Sequence, residues 1–214
     1  MTHWSTSNWK VTNLSYTWAY CDALLELKIG NWNISQWAPT SLVQTWCCCR
    51  RLKEWTASQW HTGAWEITSI DSTFRYCYSL KEINFSNWDC SAWALTTMAA
   101  FTSECRELEK LDMHNINIST ITTANNYGST SSTGLTTILY ADSSLKIFNP
   151  PSGWKGRIYL NTAYSLPRSE IIKFFNNLVD NTGNTAIALY IAGERYKLTS
   201  ADIAIATAKN YTIS

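Results

Sequence analysis

At 214 residues, with 17 basic against 16 acidic side chains, the chain carries a formal net charge of +1. That balance gives no support for the concentrated positive field a nucleic-acid-binding surface needs, and no apolar stretch approaches the roughly 18 residues of a membrane-spanning helix. Charged residues are only 15% of the chain while Ser, Thr and Asn are plentiful, a neutral polar surface common on extracellular, cell-surface and virion proteins; twelve Trp and eleven Tyr stand out, and no signal peptide is visible.

In chain order the sequence repeats itself. Residues 1–16 form the tail of one turn, residues 17–44, 45–72 and 73–100 are three complete turns of 28, and residues 101–120 open a fourth that passes into a polar stretch over 121–134. Cys21, Cys49, Cys77 and Cys105 mark the period, and the same step carries Leu24/Leu52/Leu80/Leu108, Leu27/Trp55/Ile83/Leu111, Ile29/Ala57/Phe85/Met113 and Leu14/Leu42/Ile70/Met98. Tryptophan columns run through Trp4/Trp32/Trp60/Trp88 and Trp9/Trp37/Trp65/Trp93, and a further aromatic column through Trp18/Trp46/Phe74. A fixed period in this range is the mark of a solenoid, in which stacking buries a core that no single turn could supply.

Within each turn Leu24-x-x-Leu27-x-Ile29-x-x-Trp32 is the core pattern of a leucine-rich repeat. Leu27 and Ile29 alternate as a half-buried strand does, leaving Glu26 and Lys28 outward. A second extended segment is expected at residues 10–14, 66–70 and 94–98. In the turn between, Pro39 cannot donate to a ladder and is expected to break the pairing. Beyond 134, residues 135–140 restate the pattern, residues 149–153 read as a turn, and residues 157–160 as a strand.

A helix follows, opened by Pro167 and carrying Ile171, Phe174, Phe175 and Leu178 on one face, with its stop at 180–184 where Gly183 terminates it. Residues 186–191 read as a strand. Thr199 with Asp202 signals a second helix, ending at Asn210 ahead of a last strand. The predicted architecture is a right-handed α/β-type, leucine-rich-repeat-like solenoid over residues 1–134. An irregular repeat and a helix-bearing α/β cap occupy residues 135–214. No polar capping turn precedes Trp4, so the chain is expected to be a fragment or to pack its first turn against further subunits or the rest of a longer chain.

The cysteine column is expected to be a reduced, buried ladder, because side chains pointing the same way from adjacent parallel strands meet disulfide geometry poorly. Cys47-Cys48-Cys49 lacks the CxxC partner or His pair of a metal site, so no metal or cofactor is expected. Ser79-Leu80-Lys81-Glu82-Ile83-Asn84-Phe85-Ser86-Asn87-Trp88-Asp89 resembles the repeats of BspA-like bacterial surface leucine-rich-repeat proteins, with weaker copies at Gly30-Asn31-Trp32-Asn33 and Ser7-Asn8-Trp9. The likeness spans residues 4–120. Residues 197–209 are similar to the ending of related repeat proteins of gut bacteria and of phage tail or receptor-binding proteins. The chain departs from that pattern by interposed pairs such as Trp9-Lys10 and Trp65-Glu66, and by Trp18 and Trp46 where Phe is frequent. The resemblance implies an adhesive module without catalysis.

Catalytic signatures are missing from the sequence: His3, His61 and His114 fall in different columns, and no nucleophile elbow, zinc-protease or phosphate-loop motif occurs. The column Glu26/Glu54/Glu82 reads as a solvated strand face screened by Lys53 and Lys81. Positions flanking the cysteines, by contrast, change sharply between turns. Packing holds inward positions constant and leaves outward ones free, so Tyr20, Arg50, Arg51, Arg75, Tyr76, Tyr78 and Arg106 form the candidate contact surface, in residue types that dominate binding hot spots; simple drift of exposed positions is the alternative. Trp37, Trp65 and Trp93 either pack in the core or form a row of indoles facing a glycan. The expected partner is a host-surface protein or glycan, and the second reading is a structural surface or virion component.

Overall fold

The computed structural model describes residues 6–121 and 139–214. Among them, eight short strands lie in three small parallel sheets. In the first, β1 (Glu26–Leu27) pairs with β2 (Glu54–Trp55); in the second, β3 (Glu82–Asn84), β4 (Lys110–Asp112) and β5 (Ile147–Asn149) follow in order. The third is β6 (Ile158–Tyr159), β7 (Ile187–Tyr190) and β8 (Tyr211–Ile213), and none of the three closes on itself. Two α-helices, α1 (Arg168–Asn177) and α2 (Ser200–Thr207), and 3-10 turns at Thr56–Gln59 and Ala192–Lys197 complete the described elements.

The register follows the sequence period. Glu26 pairs with Glu54, Leu27 with Trp55 and Ile83 with Leu111, each a 28-residue step. Side chains reinforce it. Cys49, Cys77 and Cys105 each donate a thiol hydrogen to the carbonyl of Trp18, Trp46 or Phe74 at 3.1 Å. Thr45 and Thr73 bond the carbonyls of Leu14 and Leu42, and the indoles of Trp60 and Trp88 those of Ile29 and Ala57. Three of the four column thiols thus point at the neighbouring segment's backbone, the fourth, Cys21, does not share the expected burial, and all seven cysteines are free. Burial pushes the Cys49 thiol up to about 12 and those of Cys77 and Cys105 well above the ordinary thiol value. Cys21 alone of the seven is exposed.

Two further columns have no glycine to announce them. Tyr16, Gln44, Ser72 and Ala100 take φ of 52–61°, and Tyr20, Cys48, Tyr76 and Glu104 take 63–70°. A non-glycine residue in this region costs roughly 1–2 kcal/mol. The conformation turns each N–H onto the next segment: Tyr16 to Val43, Gln44 to Asp71, Tyr20 to Cys47, Cys48 to Arg75 and Tyr76 to Ser103, all at 2.8–3.0 Å.

Several expectations are corrected. Trp37, Trp65 and Trp93 do not face solvent: they are 2%, 1% and 1% exposed, enclosed edge-on by Trp60, Trp88 and Phe85. Burying an indole removes far more apolar surface from water than leaving it as an isolated platform, and the three therefore leave the list of contact residues. At Pro39 the second row is irregular: Ala38 and Thr40 on either side donate to the adjacent carbonyls of Val11 and Thr12 at 2.9 and 3.1 Å, and no bridge forms at Pro39 itself. That row carries single bridges, Ser41 to Ser69 and Ser69 to Thr97, in place of strands.

The restatement expected at residues 135–140 falls largely outside the described residues, which exclude 135–138; among those described, β4 pairs with β5 at a 37-residue step, Leu111 opposite Phe148. Asp142 consequently takes the cysteine position, fully buried, accepting from the Cys105 N–H at 2.9 Å and the Thr102 hydroxyl at 3.1 Å. The proposed division at 134 also falls outside the described residues, and one apolar cluster runs from Leu14 to Tyr211.

Burial holds the Asp142 carboxyl well above the ordinary range, against those two hydrogen bonds. The folded chain binds this proton more tightly than the unfolded chain. Its contribution is therefore complete below the ordinary carboxyl pKa of ~3.9 and is lost as pH rises through the raised folded value. Denaturant titrations across pH should show Asp142→Asn with a flatter stability profile above about pH 4 than the parent; parallel profiles would refute the assignment.

In the C-terminal part, α1 ends at Asn177, earlier than expected. Leu178 turns extended to bridge Trp154, and the Lys209 ammonium takes the carbonyls of Phe175, Asn176 and Leu178 at 2.8–3.1 Å. Gly183, at φ +86°, serves the following turn. Thr199 and Asp202 form the capping box of α2. Arg168 clamps the same carboxylate at 2.7 and 2.9 Å, joining the starts of both helices, and with the Thr199 bonds holds Asp202 down to about 2.

Candidate recognition surface

A left-handed residue precedes each column cysteine, and the residue that follows each cysteine is exposed or half-buried. Asp22, Arg50, Tyr78 and Arg106 therefore form one 28-residue column on the surface, with Arg75 and Tyr76 beside it. Arg50 bonds Asp22 at 2.5 Å, and a hydrogen bond to Tyr78, then Asp22, favours its charged form. The Arg106 guanidinium lies 4.7 Å from the Tyr78 ring centre and bonds Glu104 at 2.8 Å. Arg75 lies 4.6 Å over Tyr76 and donates to its hydroxyl at 2.8 Å, and the two tyrosines meet edge-to-face at 6.1 Å.

Five of the seven non-tryptophan candidates thus come together: Arg50, Arg75, Tyr76, Tyr78 and Arg106. Stacking and hydrogen bonding fix their geometry before any ligand arrives, which reduces the entropy lost on binding. Tyr20, 63% exposed, is separated from Tyr76 by the buried Cys48 of its own column. Arg51 is exposed on the neighbouring column.

Sequence reasoning passed over two other arrangements. Between β2 and β3 the pairing lapses, as the Thr56–Gln59 turn carries the chain away; Thr56 Oγ1 instead bonds back to Leu27 and receives the N–H groups of Ile29 and Gly30. An open cleft of about 550 Å³ results, lined by Lys53, Glu54, Lys81, Glu82 and Asn84 among others. A second hollow, of about 590 Å³, holds Asp112, His114, Asn149 and Lys173. There the His114 ring meets Asp112 at 2.5 Å, and Asn149 donates to the other carboxylate oxygen at 2.8 Å. Burial, which raises the Asp112 pKa, is outweighed by these bonds, and the group is lowered overall.

An aspartate orienting a histidine is half of a catalytic constellation. The lining of this hollow contains no hydroxyl or thiol side chain to act as nucleophile. Asp112 also accepts the His114 N–H, as Asn84 accepts that of Ser86 one segment earlier, so the same arrangement serves as a strand-ending turn. Among the described residues, no helix is long and apolar enough to cross a membrane. The chain matches no protein-family model, no curated protein and no solved structure.

Proposed function

We propose that this chain is a right-handed, strand-dominated solenoid of leucine-rich-repeat type, related to the BspA-like surface proteins. It acts as a non-catalytic recognition module of a bacterial cell surface or phage tail, with a host protein or glycan as partner. The supporting observation is the pair of guanidiniums laid on tyrosine rings, Arg75 on Tyr76 and Arg106 on Tyr78, among columns whose inward members are nearly constant. Such pre-shaped aromatic and guanidinium contacts are what binding hot spots are made of. Binding of multimerised protein to a glycan array and to whole cells tests it. Tyr76→Ala/Tyr78→Ala should weaken saturable binding by at least about tenfold with the near-ultraviolet circular dichroism retained. Parent protein that is folded and multimerised yet binds neither would refute the reading.

A structural surface or virion component is the second reading. What favours it is that Trp9, Tyr16, Tyr20 and Leu25, large apolar side chains of the first described segment, are 39–63% exposed.

A further inference from the structure

The tyrosine–arginine row does not stop at Arg106. Tyr140 and Ser143 stand 37 residues beyond Ser103 and Arg106, the same step that pairs β4 with β5. The Glu104 N–H donates to the Tyr140 carbonyl at 2.7 Å, and the Ser143 hydroxyl to that of Arg106 at 3.4 Å. Thr162 Oγ1 then receives the Ala141 N–H at 3.0 Å and brings the next crossing alongside. There Tyr159 of β6 and Tyr190 of β7 stack 4.2 Å apart at 18°. Burial first, then Tyr190, pushes the Tyr159 hydroxyl up, and Tyr140 is close enough to add to the effect. All three rings are half-buried.

The chemistry of this row narrows its partner. Its main-chain N–H groups at Tyr20, Cys48, Tyr76 and Glu104 are spent on the next segment, so an extended peptide finds no ladder to join there. What faces outward is phenol hydroxyls, ring edges and guanidiniums, and two of those guanidiniums are already balanced by Asp22 and Glu104. The row is one or two side chains wide. With neighbouring crossings about 4.8 Å apart, it runs roughly 25 Å from Arg50 to Tyr190, a shape unlike the broad patch of about 800 Å² that a globular partner covers. We propose that the recognition surface extends through Tyr140, Tyr159 and Tyr190 and takes a linear, uncharged polysaccharide lying along the row. Sugar hydroxyls meet the phenol hydroxyls and guanidiniums, which offer donors and acceptors at close spacing along the row. This rests on the recognition reading above.

Calorimetric titration with β-1,4-linked gluco- and manno-oligosaccharides, from disaccharide to octasaccharide, tests it, with heparin oligosaccharides as charged comparators. For at least one neutral series, Kd should fall roughly tenfold between trimer and heptamer. Tyr159→Ala/Tyr190→Ala should abolish that gain, and Tyr76→Ala/Tyr78→Ala should weaken heptamer binding as well. A Kd independent of length, or a double variant at 159 and 190 that binds heptamers normally, overturns the extension and leaves recognition standing. Binding to heparin alone, or saturable binding to cells with none to the neutral series, overturns the uncharged-polysaccharide assignment on the same terms. Folded parent protein that binds no oligosaccharide and no cell overturns both.

Discussion

Trp88→Ala is expected to lower the unfolding free energy by about 3–5 kcal/mol from lost packing, with up to about 1–3 kcal/mol more from the carbonyl it strands. Trp88 is 1% exposed and touches five aromatic rings: Phe85 at 4.8 Å, Trp65 at 5.3 Å, Trp55 at 5.6 Å, Trp93 at 6.0 Å and Trp60 at 6.2 Å. Its indole N–H is held by the Ala57 carbonyl at 2.9 Å, a bond no alanine replaces. The surrounding indoles are large and mutually wedged, so the site cannot collapse to fill the void. Against a total stability of about 5–15 kcal/mol, the variant stands at the edge of folding. Urea denaturation followed by circular dichroism reads the effect, and Trp9→Ala, at a site 39% exposed, should lose far less. Equal losses at the two positions would remove Trp88 from the centre of the core.

Lys197→Met is the second large effect, an expected loss of about 3–5 kcal/mol. The Glu194 carboxylate is fully buried and its ion-pair partner is the Lys197 ammonium. That ammonium also donates to the carbonyls of Tyr164 and Leu166, at 2.9 and 2.8 Å, in the chain leading into α1. Removing it leaves a buried charge and two carbonyls without their donor at once. Glu194→Leu/Lys197→Met should recover much of the loss, since it deletes the stranded charge, though the carbonyls keep the remainder. The comparison is made on urea midpoints at constant slope. A single variant as stable as the parent, or a double variant no better than the single, would show that the pair does not anchor this part of the chain.

Much of the inward face was legible in the chain itself. A residue that must meet its counterpart in the next segment cannot drift, so Leu27, Trp55, Ile83 and Leu111 recur at a fixed step, and the strands pair in that register. Local chemistry likewise announced the Thr199–Asp202 capping box and the left-handed Asn210, because both depend on neighbours in sequence. The candidate surface was legible only as a set of outward positions. That Arg75 lies on Tyr76 and Arg106 on Tyr78 follows from side-chain packing across segments, which spacing does not specify.

Contacts between distant segments decided the rest. Trp9 and Trp37 occupy one column, yet one is 39% and the other 2% exposed, because enclosure depends on which segments lie alongside. Tyr16 and Cys48 are held left-handed by N–H bonds to residues 27 positions ahead, with no local glycine to signal it. The step of 37 that puts Asp142 in a cysteine's place is a matter of register. Periodicity is a property of the chain and can be read along it. Enclosure, backbone strain and register across an irregular step are free energies of the packed whole, where many weak contacts outweigh any local preference.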